Sequence, residues 1–117
     1  MSIPEVLQIG GDSVAALAGA VSVATALPTL TGVSAGLTLK WVAVQARRAS
    51  AGGLDTFDAA SFKIGLAAVV VTAVNGMILR PEDGVGLLNV TGQTHIAAIR
   101  TGAAIDLSVV VTPLANQ

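Results

Sequence analysis

From Leu37 the chain takes on a period of two. In Leu37-Thr38-Leu39-Lys40-Trp41 apolar residues alternate with polar ones, and Val42-Ala43-Val44 is then apolar on both faces. Successive side chains of an extended chain point to opposite faces, so this reads as a strand that starts half-exposed and ends buried on both sides. Arg47-Arg48-Ala49-Ser50-Ala51-Gly52-Gly53 ends it with charge, small residues and paired glycines, the chemistry of a surface loop. Phe62 and Ile64 alternate with Ser61, Lys63 and Gly65 and predict a second short strand. Val69-Val70-Val71-Thr72-Ala73-Val74, Asn75-Gly76 and Met77-Ile78-Leu79 then predict two β segments joined by a tight hairpin or a bulged turn, because Asn and Gly tolerate positive φ. Pro81-Glu82-Asp83-Gly84 has the order of a type I turn. Near the end, Ile105, Leu107, Val109 and Val111 take one face while Asp106, Ser108, Val110 and Thr112 take the other, which no helix gathers into one apolar stripe. Residues 94–100, with Ile96 and Ala98 on one side and His95, Ala97 and Ile99 on the other, supply a partner strand across Thr101-Gly102, so a terminal hairpin is expected.

The first thirty residues carry two readings. Asp12-Ser13 caps a helix if Val14, Leu17 and Val21 are taken at helical spacing, whereas Val21, Val23, Thr25 and Leu27 fit a strand ending at Pro28. Strand is preferred from Val21 onward, and residues 13–20 stay open. The expected fold is therefore all-β, an antiparallel β-sandwich or jelly-roll-like domain over residues 31–117. Residues 1–30 are expected as an extended or partly helical N-terminal segment that serves as an interaction arm, within a single domain overall.

Composition adds a constraint that the pattern alone does not. The 117 residues are 53% hydrophobic and only 11% charged, whereas soluble domains usually carry about 25% charged residues. Apolar surface must then be covered by lipid, by other copies or by a larger assembly. The longest uncharged run, between Asp12 and Lys40, is long enough for a membrane span, but it is mostly Ala, Gly, Ser and Thr and contains Pro28. The run over residues 64–79 is short for a span and holds Asn75-Gly76. The first basic residue is Lys40, so a cleaved signal peptide is not expected. Six Lys+Arg against seven Asp+Glu, a net charge of −1, leave no broad footprint for nucleic acid. The absence of cysteine excludes disulfides, a thiolate zinc site and a cysteine nucleophile. Charge gathers at Arg47-Arg48, over residues 55–58 and over residues 80–83, all read as loop or turn.

Motifs with chemical meaning are weak. Gly32-Val33-Ser34-Ala35-Gly36 matches the G-x-S-x-G elbow of hydrolases, but the segment after it, from Leu37 to Val44, reads as strand instead of helix, and His95 is the sole candidate base. A glycine-rich turn is the better reading. Gly84-Val85-Gly86 begins like a dinucleotide fingerprint but lacks its third glycine, and reads as a turn entering a strand. Asp55 with Asp58, and Glu82 with Asp83, are expected as solvated loops or turn caps, and His95 as a surface or hydrogen-bonded strand residue. Trp41 is expected in the core. No catalytic, cofactor-binding or metal site is predicted, hence no cofactor and no enzymatic activity.

One resemblance spans most of the chain from Ala24 onward. It is carried by Ala26-Leu27-Pro28, the strand Trp41-Val42-Ala43-Val44-Gln45-Ala46, Phe62-Lys63-Ile64-Gly65, Asn75-Gly76-Met77-Ile78-Leu79-Arg80-Pro81-Glu82-Asp83, and Asp106-Leu107-Ser108-Val109-Val110-Val111. This order resembles small β-sandwich virion proteins of tailed bacteriophages, although Glu82-Asp83-Gly84 departs from that family's Gly-Glu turn. The resemblance implies a virion structural protein of the capsid decoration or cement type, bound to the major capsid protein or other virion proteins and to sibling copies as a homo-oligomer, with neither nucleic acid nor membrane as a partner. It carries over no functional residue. The alternatives are a tail or fibre-attachment component, a glycan-binding β-sandwich module, and, further off, a membrane protein.

Overall fold

In a computed structural model, residues 7–48, 59–101 and 107–116 are described. They form nine strands and two 3₁₀ turns. The strands are β1 (Leu7–Ile9), β2 (Val14–Ala18), β3 (Val23–Ala26), β4 (Trp41–Arg48), β5 (Ala60–Gly65), β6 (Met77–Leu79), β7 (Gly86–Asn89), β8 (His95–Arg100) and β9 (Leu107–Asn116). One sheet runs β1-β9-β4-β7, with β2 also on β9, and the other runs β3-β8-β5-β6. All the strand pairs are antiparallel, and the two sheets pack face to face as a sandwich. The expected all-β sandwich is therefore the fold.

Alternation decides what enters the core. Val42, Val44 and Ala46 of β4 and Leu107, Val109 and Val111 of β9 point inward from the first sheet, meeting Ala60, Phe62, Leu79, Ile96 and Ala98 from the second. Phe62 is the aromatic in this cluster, and much of the rest is Ala and Val. Such small side chains leave little slack for substitution in either direction.

Connectivity differs from the sequence expectation in an informative way. β8 and β9 do not form a hairpin: β8 pairs with β3 and β5, whereas β9 pairs with β1, β2 and β4 in the opposite sheet. The chain passes from one sheet to the other between them. Residues 69–74 are not a strand either. They belong to a connection over residues 66–76 that returns β5 to β6, and Asn75 closes it by accepting the Thr72 N–H at Oδ1, 2.7 Å. Gly76 has no positive φ. It is glycine because a Cβ there would meet Val71 Cγ2 at 2.6 Å and the Phe62 carbonyl at 2.7 Å. The strand expected from Leu37 begins at Trp41, and Arg47 and Arg48 continue it instead of forming a loop, because β9 offers partners out to Leu107. The Pro81 turn is present as a 3₁₀ turn, Pro81–Asp83, followed by Gly84 at φ 75°.

Residues 7–30 are not a separate arm. They supply β1 and β2 to the first sheet and β3 to the second, so the expected boundary at residue 30 does not divide the fold. The open choice over residues 13–20 resolves as strand over Val14–Ala18. β1 and β2 lie end to end along one side of β9, with residues 10–13 opposite only Thr112 and Pro113, a bulge of two extra residues. Pro113 accounts for the break. Its carbonyl accepts the Gly10 N–H at 2.9 Å, but it has no N–H to return, and the Gly10 carbonyl is taken instead by the Thr31 N–H at 2.8 Å. The strand expected from Val21 starts at Val23 and ends before Pro28.

Expectations on Asp55, Asp58, residues 49–53, Gly102 and Ile105-Asp106 lie outside the described residues.

Candidate functional site

The two sheets treat their outer faces differently. On the β3-β8-β5-β6 sheet, Ser61 and Ala97 point outward yet are 0% exposed. Their cover is the chain itself. Residues 66–76 cross this face and insert Val71, while the Ser61 hydroxyl donates to the Thr72 carbonyl at 2.8 Å and the Val71 N–H donates to Ser22 Oγ at 3.1 Å. Ile96, Ala97 and Ala98 are all buried, between the core on one side and this connection on the other, whereas Val42-Ala43-Val44, expected buried on both sides, is not: Ala43 is half-buried on the outer face of the other sheet.

The outer face of the β1-β9-β4-β7 sheet has no such cover among the described residues. The register sets its side chains in rows. Ile9, Leu114, Trp41 and Asn89 form the first, and Thr112, Ala43 and Leu87 the second. Ala15, Val110 and Gln45 come next, then Leu17, Ser108 and Arg47. Ile9, Leu17 and Leu87 are exposed, and the residues of β4 and β9 between them are half-buried by their neighbours, save Arg47, which is exposed. Asn89, Thr112, Gln45, Ser108 and Arg47 are the polar members of these rows. Ser13 and Thr112 share a hydroxyl hydrogen bond of 2.7 Å, and the Arg47 guanidinium donates to Gln45 Oε1 at 3.4 Å. A shallow cavity of about 390 Å³ crosses the face, lined by Ile9, Ala43, Val85, Val110 and Leu114, with Gln45 and Arg47 also on its lining. Trp41 belongs to this outward side and not to the core, because β4 turns its even-numbered residues inward; it is half-buried beside Leu114 and the loop bearing Leu30 and Leu37.

The weaker motifs resolve into local structure. Ser34 of the G-x-S-x-G match sits in the 3₁₀ turn Gly32–Ser34, 4% exposed, between Gly32 and Gly36 with their positive φ angles. It is not raised on an elbow. Gly84 and Gly86 lead into β7, a strand and not a helix. Asp83 caps the turn it belongs to: its Oδ2 accepts the Arg80 N–H at 2.8 Å. His95 is half-buried at the start of β8, its Nδ1 2.8 Å from Thr94 Oγ1. No group of three or more His, Asp or Glu able to hold a metal ion occurs among the described residues. No helix among them is long and apolar enough to cross a membrane.

Sequence reasoning missed this asymmetry between faces. An apolar residue facing outward reads alike whether a loop covers it or nothing does. Comparison with protein-family models, with curated proteins and with solved structures returned no match.

Proposed function

We propose that this chain is a non-enzymatic structural subunit that packs the outer face of its β1-β9-β4-β7 sheet against neighbouring protein. We propose further that the assembly is a tailed-phage particle, in which the chain serves as a capsid decoration or cement protein. One observation carries the first statement: one sheet is roofed by residues 66–76, while the other presents rows of Ile9, Leu17, Ala43, Leu87, Val110 and Leu114 outward. β9 is ten residues long, so at about 3.4 Å per residue and about 4.8 Å between strands the four-strand face offers on the order of 500 Å². Patches of that size on a single chain are often functional, and stable contacts bury about 800 Å² per partner. Burial of the apolar members at about 25 cal/mol per Å² supplies the drive, and Asn89, Thr112, Gln45, Ser108 and Arg47 between them supply orientation. The resemblance of its order of turns and strand ends to that of small phage virion proteins supports the second statement.

The test is the copy number of this chain in purified particles, by quantitative mass spectrometry of virions from a culture that produces it. A decoration role requires it in many tens to hundreds of copies per particle. Its absence from particles overturns the phage reading, and a handful of copies moves it to the tail.

A further inference from the structure

The edges of the sandwich differ as much as its faces. Within the β4–β7 pair, the Val90 N–H donates to the Lys40 carbonyl at 2.7 Å. Antiparallel ladders alternate between residues that exchange hydrogen bonds and residues that do not. Stepping by two along the register, Leu88 with Val42 and Gly86 with Val44 therefore bond across the pair, whereas Leu87 and Asn89 turn their N–H and C=O away from β4. No other strand pairs with β7, and no backbone partner for Leu87 or Asn89 occurs among the described residues.

Edge strands are normally blunted by shortness, proline, charge or a bulge. The opposite edge of the same sheet is broken by the bulge over residues 10–13, which contains Asp12. In the second sheet β6 has only three residues and runs into Arg80-Pro81, and β3 stops before Pro28. β7, four residues long, carries no proline, charge or bulge. Residues 84–94 carry no charge, and Val85 and Leu87 are exposed beside it.

We propose that β7 pairs antiparallel with β7 of a second copy of this chain, about a two-fold axis through Leu87. Leu87 then lies opposite Leu87, each donating its N–H to the other's carbonyl, and Asn89 lies opposite residue 85. A closed two-fold pairing uses the same patch on both copies and sets the residue on the axis against itself, so that residue must bear no charge to meet its like. Residues 84–94 satisfy that condition. The pairing makes one continuous sheet of the two β1-β9-β4-β7 sheets and turns both outer faces the same way, doubling the apolar area offered to a third party. This inference does not depend on the phage reading: it holds or fails on the isolated full-length chain.

Light scattering and sedimentation over a wide concentration range read the association directly, and a dimer is expected. Leu87→Pro removes only the outward N–H and spares the β4 ladder, so it is expected to weaken dimerisation at least about tenfold while the thermal transition of the monomer is retained. Because the chain has no native cysteine, Leu87→Cys alone is expected to give a disulfide-linked dimer on mild oxidation, since directly opposed residues lie about 5.5 Å apart between Cα atoms. Leu17→Cys, on the same face at the far edge, is expected not to cross-link. A monomer at all concentrations overturns the proposal. So does a dimer that is indifferent to Leu87→Pro, or one in which Leu17→Cys cross-links as readily as Leu87→Cys.

Discussion

Val71 tests whether the connection over residues 66–76 is a structural roof or a passive loop. It is 2% exposed, while Val70 and Val74 of the same segment are 63% and 92% exposed. Val71→Ala removes two methyl groups, a transfer loss of about 1.6 kcal/mol at about 0.8 kcal/mol per buried carbon. The space vacated adds up to about 1 kcal/mol at roughly 24 cal/mol per Å³, depending on how far the segment settles back. The expected cost is about 2–3 kcal/mol, equivalent to a fall in Tm of about 10 °C for a domain of this size. Val70→Ala and Val74→Ala, chemically identical changes, are expected within about 0.5 kcal/mol of the parent. Urea denaturation of the three variants gives the free energies. Hydrogen exchange over residues 66–76 shows whether the loss is local, since a roof held by few anchors opens before the sandwich does. If Val71→Ala proves no more costly than Val74→Ala, the segment does not seal the second sheet, and the contrast between the two faces fails with it.

Ser61→Ala removes the hydroxyl bonded to the Thr72 carbonyl and is expected to cost about 1 kcal/mol by the same denaturation assay. Combined with Val71→Ala it should give less than the sum of the two, because both act on one segment. Gly84→Ala is expected to cost about 1–3 kcal/mol although nothing lies within 4 Å of the added carbon, because φ 75° with ψ −148° is a conformation reserved for glycine. Its readout is the thermal transition, with the core unchanged. Gly10→Ala acts the opposite way, through space: the added carbon meets Leu30 Cδ2 at 2.6 Å and Ala115 Cβ at 3.1 Å, and a loss of about 1–3 kcal/mol is expected on denaturation. Leu107→Ala, at a core position 1% exposed, is expected to cost about 2–5 kcal/mol and to lower the soluble yield on expression.

Period and punctuation settle the fold class and most of the inward positions. Leu107, Val109 and Val111 follow from the period of two, because a half-buried strand must send alternate side chains inward and Asp106, Ser108 and Thr112 fix the other face as the outer one. Turn chemistry is equally local: Asp83 caps its own turn, and Gly84 is glycine for its own φ. Pairing is another matter. Asn75-Gly76 between β-formers and Thr101-Gly102 before a valine-rich strand have the composition of hairpin turns, yet Gly76 answers to the crowding of Val71 and Phe62, and the chain after β8 crosses to the other sheet. Alternation specifies which side chains face inward but not which strand lies alongside. That choice is made by the free energy of closing the whole sandwich, to which distant segments contribute at once. The same holds for the candidate interaction face. Ala97 and Val110 are both apolar strand residues directed away from the core, and only the packing of residues 66–76 over Ala97 buries the one while the other stays on an open face.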